Sequence, residues 1–136
     1  MSPDQTAPPS LGEFLRSPYP KGNVFAEQCP SREVLNHVTS RWGVLLLLGL
    51  RGGTFRFSEL RRKVGGISEK MLAQTLQTLE SDGFVERIAY PVVPPHVEYR
   101  LSASGEEVAL RVEALTDWIE QNLATILGAR SAREAA

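Results

Sequence analysis

"GGISEKMLAQTLQTLESDGFVER", residues 65–87, decides how the chain is read. Two glycines open the stretch as a tight turn. Ser68 then stands where a helix N-cap belongs. Leu72, Leu76 and Leu79 recur four and three apart, the stripe of a helix that buries one face. The helix is expected to end near Asp82-Gly83, where a strand takes over. Lys70, Gln74, Thr75, Gln77 and Thr78 fall largely off the apolar stripe. The outward face is therefore long-armed, rich in hydrogen-bonding groups and nearly free of acid. Most exposed helices mix Glu with Lys. One carrying amides and hydroxyls suits an anionic partner that must be read by hydrogen bonds.

Upstream, "SELRRKV" (58–64) predicts a short helix capped by Ser58, with Leu60 and Val64 inward and Arg61, Arg62 and Lys63 beyond them. "TFRF" before it is a short extended piece. "RWGVLLLLGLRGG" (41–53) is apolar nearly all round, the mark of a buried helix, and Gly52-Gly53 closes it. "CPSREVLNHV" (29–38) starts a helix with Pro30 in the first position and Val34, Leu35 and Val38 on one face. Residues 1–28 have no periodic pattern and are expected to form a mobile arm.

Downstream, "FVERIAY" and "VEYRL" read as two strands. The prolines of "PVVPPH" between them lack the N–H that a ladder needs, so this segment is expected to protrude as a stiff tip carrying His96. A last helix is expected over about 106–127, followed by a tail over 128–136. It carries one stripe of Val108, Val112, Leu115, Ile119 and Ile126 and a second of Leu110, Trp118 and Leu123. That is more apolar surface than one neighbour covers, which points to a subunit contact at Val108, Val112, Leu115, Trp118, Ile119, Leu123 and Ile126.

The 136 residues suffice for one domain, and 42% apolar with 23% charged is ordinary globular composition. The longest apolar run, "VLLLLGL", is far too short to span a bilayer, so no membrane partner is expected. A single Cys and no signal pattern at the N-terminus suit a cytoplasmic protein. One Cys and two dispersed His supply no metal-ligand spacing, and no phosphate loop or paired carboxylates appear. Neither metal, cofactor nor enzymatic activity is expected. The formal net charge of −1 conceals an uneven distribution. Residues 41–75 carry a balance of +5 and residues 101–136 one of −3. A basic middle is what phosphate contact requires, although such arginines also serve in ordinary surface ion pairs.

Two helices joined by a short glycine turn, the second followed by a β-hairpin, make a winged helix-turn-helix. The fold class is thus mainly α with a small β-hairpin and a C-terminal dimerisation helix. In this frame the helix over about 68–82 is the recognition helix and the hairpin over about 84–101 the wing. Gln reads adenine edges, Ser and Thr serve base or phosphate, and Lys serves phosphate or guanine. The DNA-binding candidates are Arg56, Ser58, Arg61, Arg62, Lys63, Ser68, Lys70, Met71, Gln74, Thr75, Gln77, Arg87 and His96. Met71 serves core or a thymine methyl equally well. His37 is expected to be structural, and Trp42 and Trp118 to lie in the core, Trp118 near the subunit contact.

Residues 29–127 resemble the HxlR-type family of bacterial winged helix-turn-helix regulators, relatives of MarR-type regulators. The resemblance rests on "CP" at 29–30, "RW" at 41–42, "RFSELRRKVGGISEKMLAQTLQTLESDGFVER" at 56–87, "YPVVPPHVEYRLSASG" at 90–105 and Trp118. The chain has "TSRW" at 39–42 where the family usually has "GGKW", and its arm before Cys29 is longer than usual. The resemblance implies a homodimer on a two-fold-related operator in double-stranded DNA, often as a repressor. It also implies that Cys29 answers oxidants or electrophiles. By itself, Cys29 is either a thiolate favoured by the start of a helix or a small apolar filler. Two rival readings remain: control by a small ligand between the last helix and the winged domain, and a winged helix that binds protein rather than DNA.

Overall fold

The computed structural model describes residues 22–135. The arm expected over residues 1–28 falls largely outside them. The chain divides after Asn36 into two compact units. The described part of the first holds a turn, closed by the Ala26 amide on the Asn23 carbonyl at 2.9 Å, and the first turns of α1 (Pro30–Thr39).

The second unit runs from His37. After the end of α1 come α2 (Arg41–Leu50), β1 (Thr54–Arg56), α3 (Phe57–Lys63), α4 (Glu69–Ser81), β2 (Val85–Tyr90), β3 (His96–Leu101), α5 (Ala103–Gln121) and α6 (Leu123–Ala135). Leu46, Leu47 and Leu50 of α2 sit at the centre. Around them pack Leu60, Leu72, Leu76 and Leu79 of α3 and α4, Val85 and Leu101 of the sheet, and Ala109 and Val112 of α5. Each fully buried leucine contributes about 1.5–3 kcal/mol of transfer free energy. Removing water from three sides of α2 is what orients α3 and α4 around it. Leu45 lies on the fourth side and stays exposed.

The glycine turn and the capped helix form as the sequence predicts. The Ser68 hydroxyl accepts from the Met71 amide at 3.0 Å, and Gly83 closes α4 at φ +83°, a conformation open to glycine at no steric cost. Five expectations need correction. The short helix begins at Phe57, with Arg56 rather than Ser58 at the N-cap, and the Arg56 amide donates to the Glu59 carboxylate at 2.7 Å. The hairpin is not alone: β1 pairs antiparallel with β3, giving a three-stranded sheet in the order β1-β3-β2. His96 is not at the tip but opens β3, opposite Tyr90, so the tip comprises residues 91–95. The last helix starts at Ala103, capped by the Ser102 hydroxyl on the Gly105 amide, and breaks at Asn122. The segment expected as a tail is helical to Ala135.

Among the described residues no helix is long and apolar enough to cross a membrane.

Candidate nucleic-acid interface

Helix α4 puts Leu72, Thr75, Leu76 and Leu79 inward. Lys70, Gln74, Gln77 and Ser81, at steps of four, three and four, share the exposed face, and Met71 is exposed beside them. Thr75 was expected on that face and is not there. It is only 9% exposed, and its hydroxyl donates to the Met71 carbonyl at 2.7 Å. Thr75 lies one turn from Leu72 and Leu79, on the buried side of the helix. The Ser68 hydroxyl is likewise engaged, in the cap of α4.

The basic residues before, in and after α4 sort into paired and unpaired. Arg51 bonds Glu113 of α5. Arg61 meets Glu69 at 3.1 Å, across the turn from α3 to α4. The Lys63 ammonium donates to the Gly49 carbonyl at 2.7 Å and lies 4.4 Å from the Phe55 ring, so it turns back onto the C-terminal end of α2 rather than outward. Arg41 stacks over Trp42 at 4.6 Å. Arg62, Lys70 and Arg87 make no ion pair with any described residue. Beside α4 lies a shallow depression of about 380 Å³ bordered by Phe57, Ser58, Arg61, Arg62 and Glu69.

The sheet separates two residues that the sequence put together. Arg87 stands opposite Tyr99, on the face of Val85 and Leu101, whereas His96 and its partner Tyr90 are on the other face. On that other face the Tyr90 hydroxyl donates to one oxygen of Glu98 at 3.0 Å, and His96 Nε2 lies 2.8 Å from the second oxygen. Hydrogen bonds from His96 and then Tyr90 hold the Glu98 carboxyl below its ordinary range, and the same bond raises the Tyr90 phenol. Sequence reasoning missed Tyr90 and Glu98 because their meeting depends on a register that only the loop length sets. His37 is structural, as expected. Its Nδ1 lies 2.6 Å from Asp82, the C-cap of α4.

Residues 37–126 match the HxlR-like helix-turn-helix family. The chain belongs to the HxlR family. It is 70% identical to the HTH-type transcriptional regulator YtfH of Escherichia coli (strain K12) over 126 residues, covering 93% of this chain and 97% of that protein. It also resembles the solved structure of the transcriptional regulator YtfH from Salmonella typhimurium, at 68% identity and a TM-score of 0.77, over 82% of this chain and 99% of that one. The redox regulator HypR in its reduced form is similar at 33% identity and a TM-score of 0.67, over 74% of this chain and 99% of that one. The protein is a helix-turn-helix transcriptional regulator with a winged-helix fold, and not an enzyme.

Two further sets of residues in this HxlR-family chain were singled out by sequence. Cys29 precedes α1 and is half-buried, at the edge of a cleft of about 510 Å³ that Glu27, Arg32 and Glu33 also line. The Arg32 backbone amide is the main influence lowering its thiol pKa, with partial burial opposing and the Ser31 amide and hydroxyl assisting. On α5 and α6 the expected contact residues divide. Val112 is buried in its own unit and Val108 packs against the same core. Leu115, Trp118, Ile119 and Leu123 are exposed, with Leu110 and Leu127, and Ile126 is half-buried. Trp118 is 56% exposed and so is not a core residue of this chain.

Proposed function

We propose that this regulator binds a two-fold-related operator as a homodimer, with α4 as the recognition helix and the β2–β3 hairpin as the wing. The observation that carries this reading is the exposed face of Lys70, Gln74 and Gln77, together with Arg62, which forms no ion pair with a described residue. Met71 lies exposed beside that face, Ser58 of α3 and Arg56 and Arg87, on opposite faces of the sheet, are the further candidates, and His96, held by Glu98, is the weakest of them. The exposed residues of α5 and α6 supply the subunit contact over the domain of residues 29–127. Resemblance to HxlR-type regulators supports repression, and a regulator of chromosomal DNA would act in the cytoplasm. Cys29 is the sensor, through alkylation or oxidation of a thiolate. Its depressed pKa and the similarity to HypR support this reading over control by a small ligand.

Selection of duplexes from a random library, followed by titration at several salt concentrations, tests the DNA reading. The expected result is one enriched sequence, bound with a steep salt slope. A protein-binding module would enrich none. Diamide should abolish binding by the parent and spare Cys29→Ser. An equal response of both proteins would remove Cys29 from the mechanism.

A further inference from the structure

Helix α4 carries two acids, and they stand at opposite ends. Glu80 is in the last turn, where the chain leaves for β2. Glu69 is in the first, next to Lys70 and one turn before the exposed Ala73. An acid there is costly to a helix proposed to lie among phosphates, and the fold gains little from it. The Ser68 hydroxyl already caps α4 by accepting from the Met71 amide. The ion pair of Arg61 with Glu69 joins side chains that are 49% and 70% exposed, and a pair so open to water adds little stability.

What the pair does fix is the place of the carboxylate. Arg61 Nη1 reaches Glu69 Oε1 at 3.1 Å from α3, across the glycine turn. The second oxygen, Oε2, accepts from no described residue. Glu69 also borders the depression of about 380 Å³ beside α4, together with Ser58 and Arg62. Arg62 makes no ion pair with a described residue, and a guanidinium beside a hydroxyl suits a phosphate oxygen. Glu69 thus has a phosphate seat on one side. On the other stands Lys70, the first residue of the exposed row that continues with Gln74 and Gln77.

We infer that Glu69 is a specificity-determining residue that selects cytosine in the major groove, with Arg61 as its positioning residue. The inference rests on the DNA-binding reading above and adds which base the first turn of α4 requires. Residues at the start of a recognition helix are those that reach base edges. The chemistry of the side chain then decides the base, because a carboxylate accepts hydrogen bonds and cannot donate. In the major groove guanine offers two acceptors and thymine an acceptor and a methyl, so both repel it. Adenine places an acceptor beside its donor. Cytosine alone presents a donor, its N4 amino group, with no acceptor next to it. Arg61 offsets the charge that would repel the backbone, and leaves Oε2 for the base.

The test uses the full chain. Duplexes are selected from a random library with the parent, Glu69→Gln and Glu69→Ala. Affinity is then measured with each of the four base pairs at every position of the enriched sequence. The parent should require C·G at one position of each half-site and bind about tenfold more weakly with G·C there. Glu69→Gln should prefer A·T at that position alone, since Gln pairs with adenine through N6 and N7. Glu69→Ala should lose the preference there and keep the parent's choice elsewhere. Arg61→Ala should weaken binding to every sequence and narrow the discrimination at that position. Arg61→Lys should recover the affinity but not the full discrimination, because an ammonium is a point charge without the planar fork. If Arg61→Ala discriminates as the parent does, Arg61 does not position the reader. If both Glu69 variants keep the parent's preference at every position, whatever their overall affinity, the assignment is refuted and DNA binding stands. A parent that enriches no duplex overturns the DNA reading and this assignment with it.

Discussion

Gln74 lies one turn beyond Lys70 and one before Gln77 and Thr78, with no buried neighbour of its own on the exposed face of α4. Replacement by Ala removes a paired donor and acceptor without opening a cavity, and Ala is the better helix former. Gln74→Ala should therefore cost about 1–3 kcal/mol of binding to the selected duplex, most of it specificity. Thermal stability, followed by circular dichroism, should not fall. Equal affinity for parent and variant would remove α4 as the reader. Cys29 gives a second prediction at this scale. Amides of Arg32 and Ser31 and the Ser31 hydroxyl favour the thiolate, so the deprotonated form persists to lower pH than in a free cysteine, where the midpoint is about 8.5. The rate of iodoacetamide alkylation against pH should have its midpoint below that value, and Ser31→Ala should move it upward. A midpoint in the parent at or above the free-thiol value would contradict the geometry.

Helix α5 starts at a close backbone approach. A Cβ on Gly105 would run into the backbone carbonyl of Phe84, which already accepts the Ser102 amide at 3.0 Å. A backbone carbonyl cannot swing aside as a side chain can, so Gly105→Ala should displace the first turn of α5 from the sheet. The expected cost is about 1–3 kcal/mol, as for other overpacked sites, read as a lower midpoint in urea. An unchanged midpoint would mean that the turn relaxes freely. The elements also show what the sequence disclosed. The leucine spacing of α4, Ser68 and Gly83 are local signals, and each formed the expected structure. The partner of β1 is not local: Thr54 meets Arg100, and no pattern within "TFR" names it. Thr75 was misplaced because its residue type says polar while its position says core. The break at Asn122 was invisible because the apolar spacing continues through it. There the Asn122 amide side chain donates to the Trp118 carbonyl at 2.8 Å, competing with the helix ladder.

For the whole molecule, the exposed apolar residues of α5 and α6 are the surface proposed to bury against a second copy of the chain. Light scattering at micromolar concentration should give twice the 15.0 kDa chain mass. Trp118→Glu places a charge in the proposed contact and should yield the single-chain mass with the helical spectrum intact. Operator affinity should fall steeply in that variant, since the proposed dimer engages its two half-sites, about 34 Å apart, together. A parent of single-chain mass would refute the subunit contact, and with it the two-fold operator.

The sheet order β1-β3-β2 has a consequence for how the chain acquires its structure. The central strand is the last to be synthesised, and β1 must wait for a partner more than forty residues downstream, Thr54 for Arg100. Loop closure over that distance precedes any reward from pairing, which raises contact order and slows folding relative to a helical bundle of the same size. On the ribosome, α2, α3 and α4 emerge with their leucines facing a core whose final wall, from β3 and α5, is still inside the exit tunnel. A nascent chain stalled before His96 should thus be cut readily by protease, and one stalled after α5 has emerged should resist it. Helix α4 and the β2–β3 hairpin become native in one step.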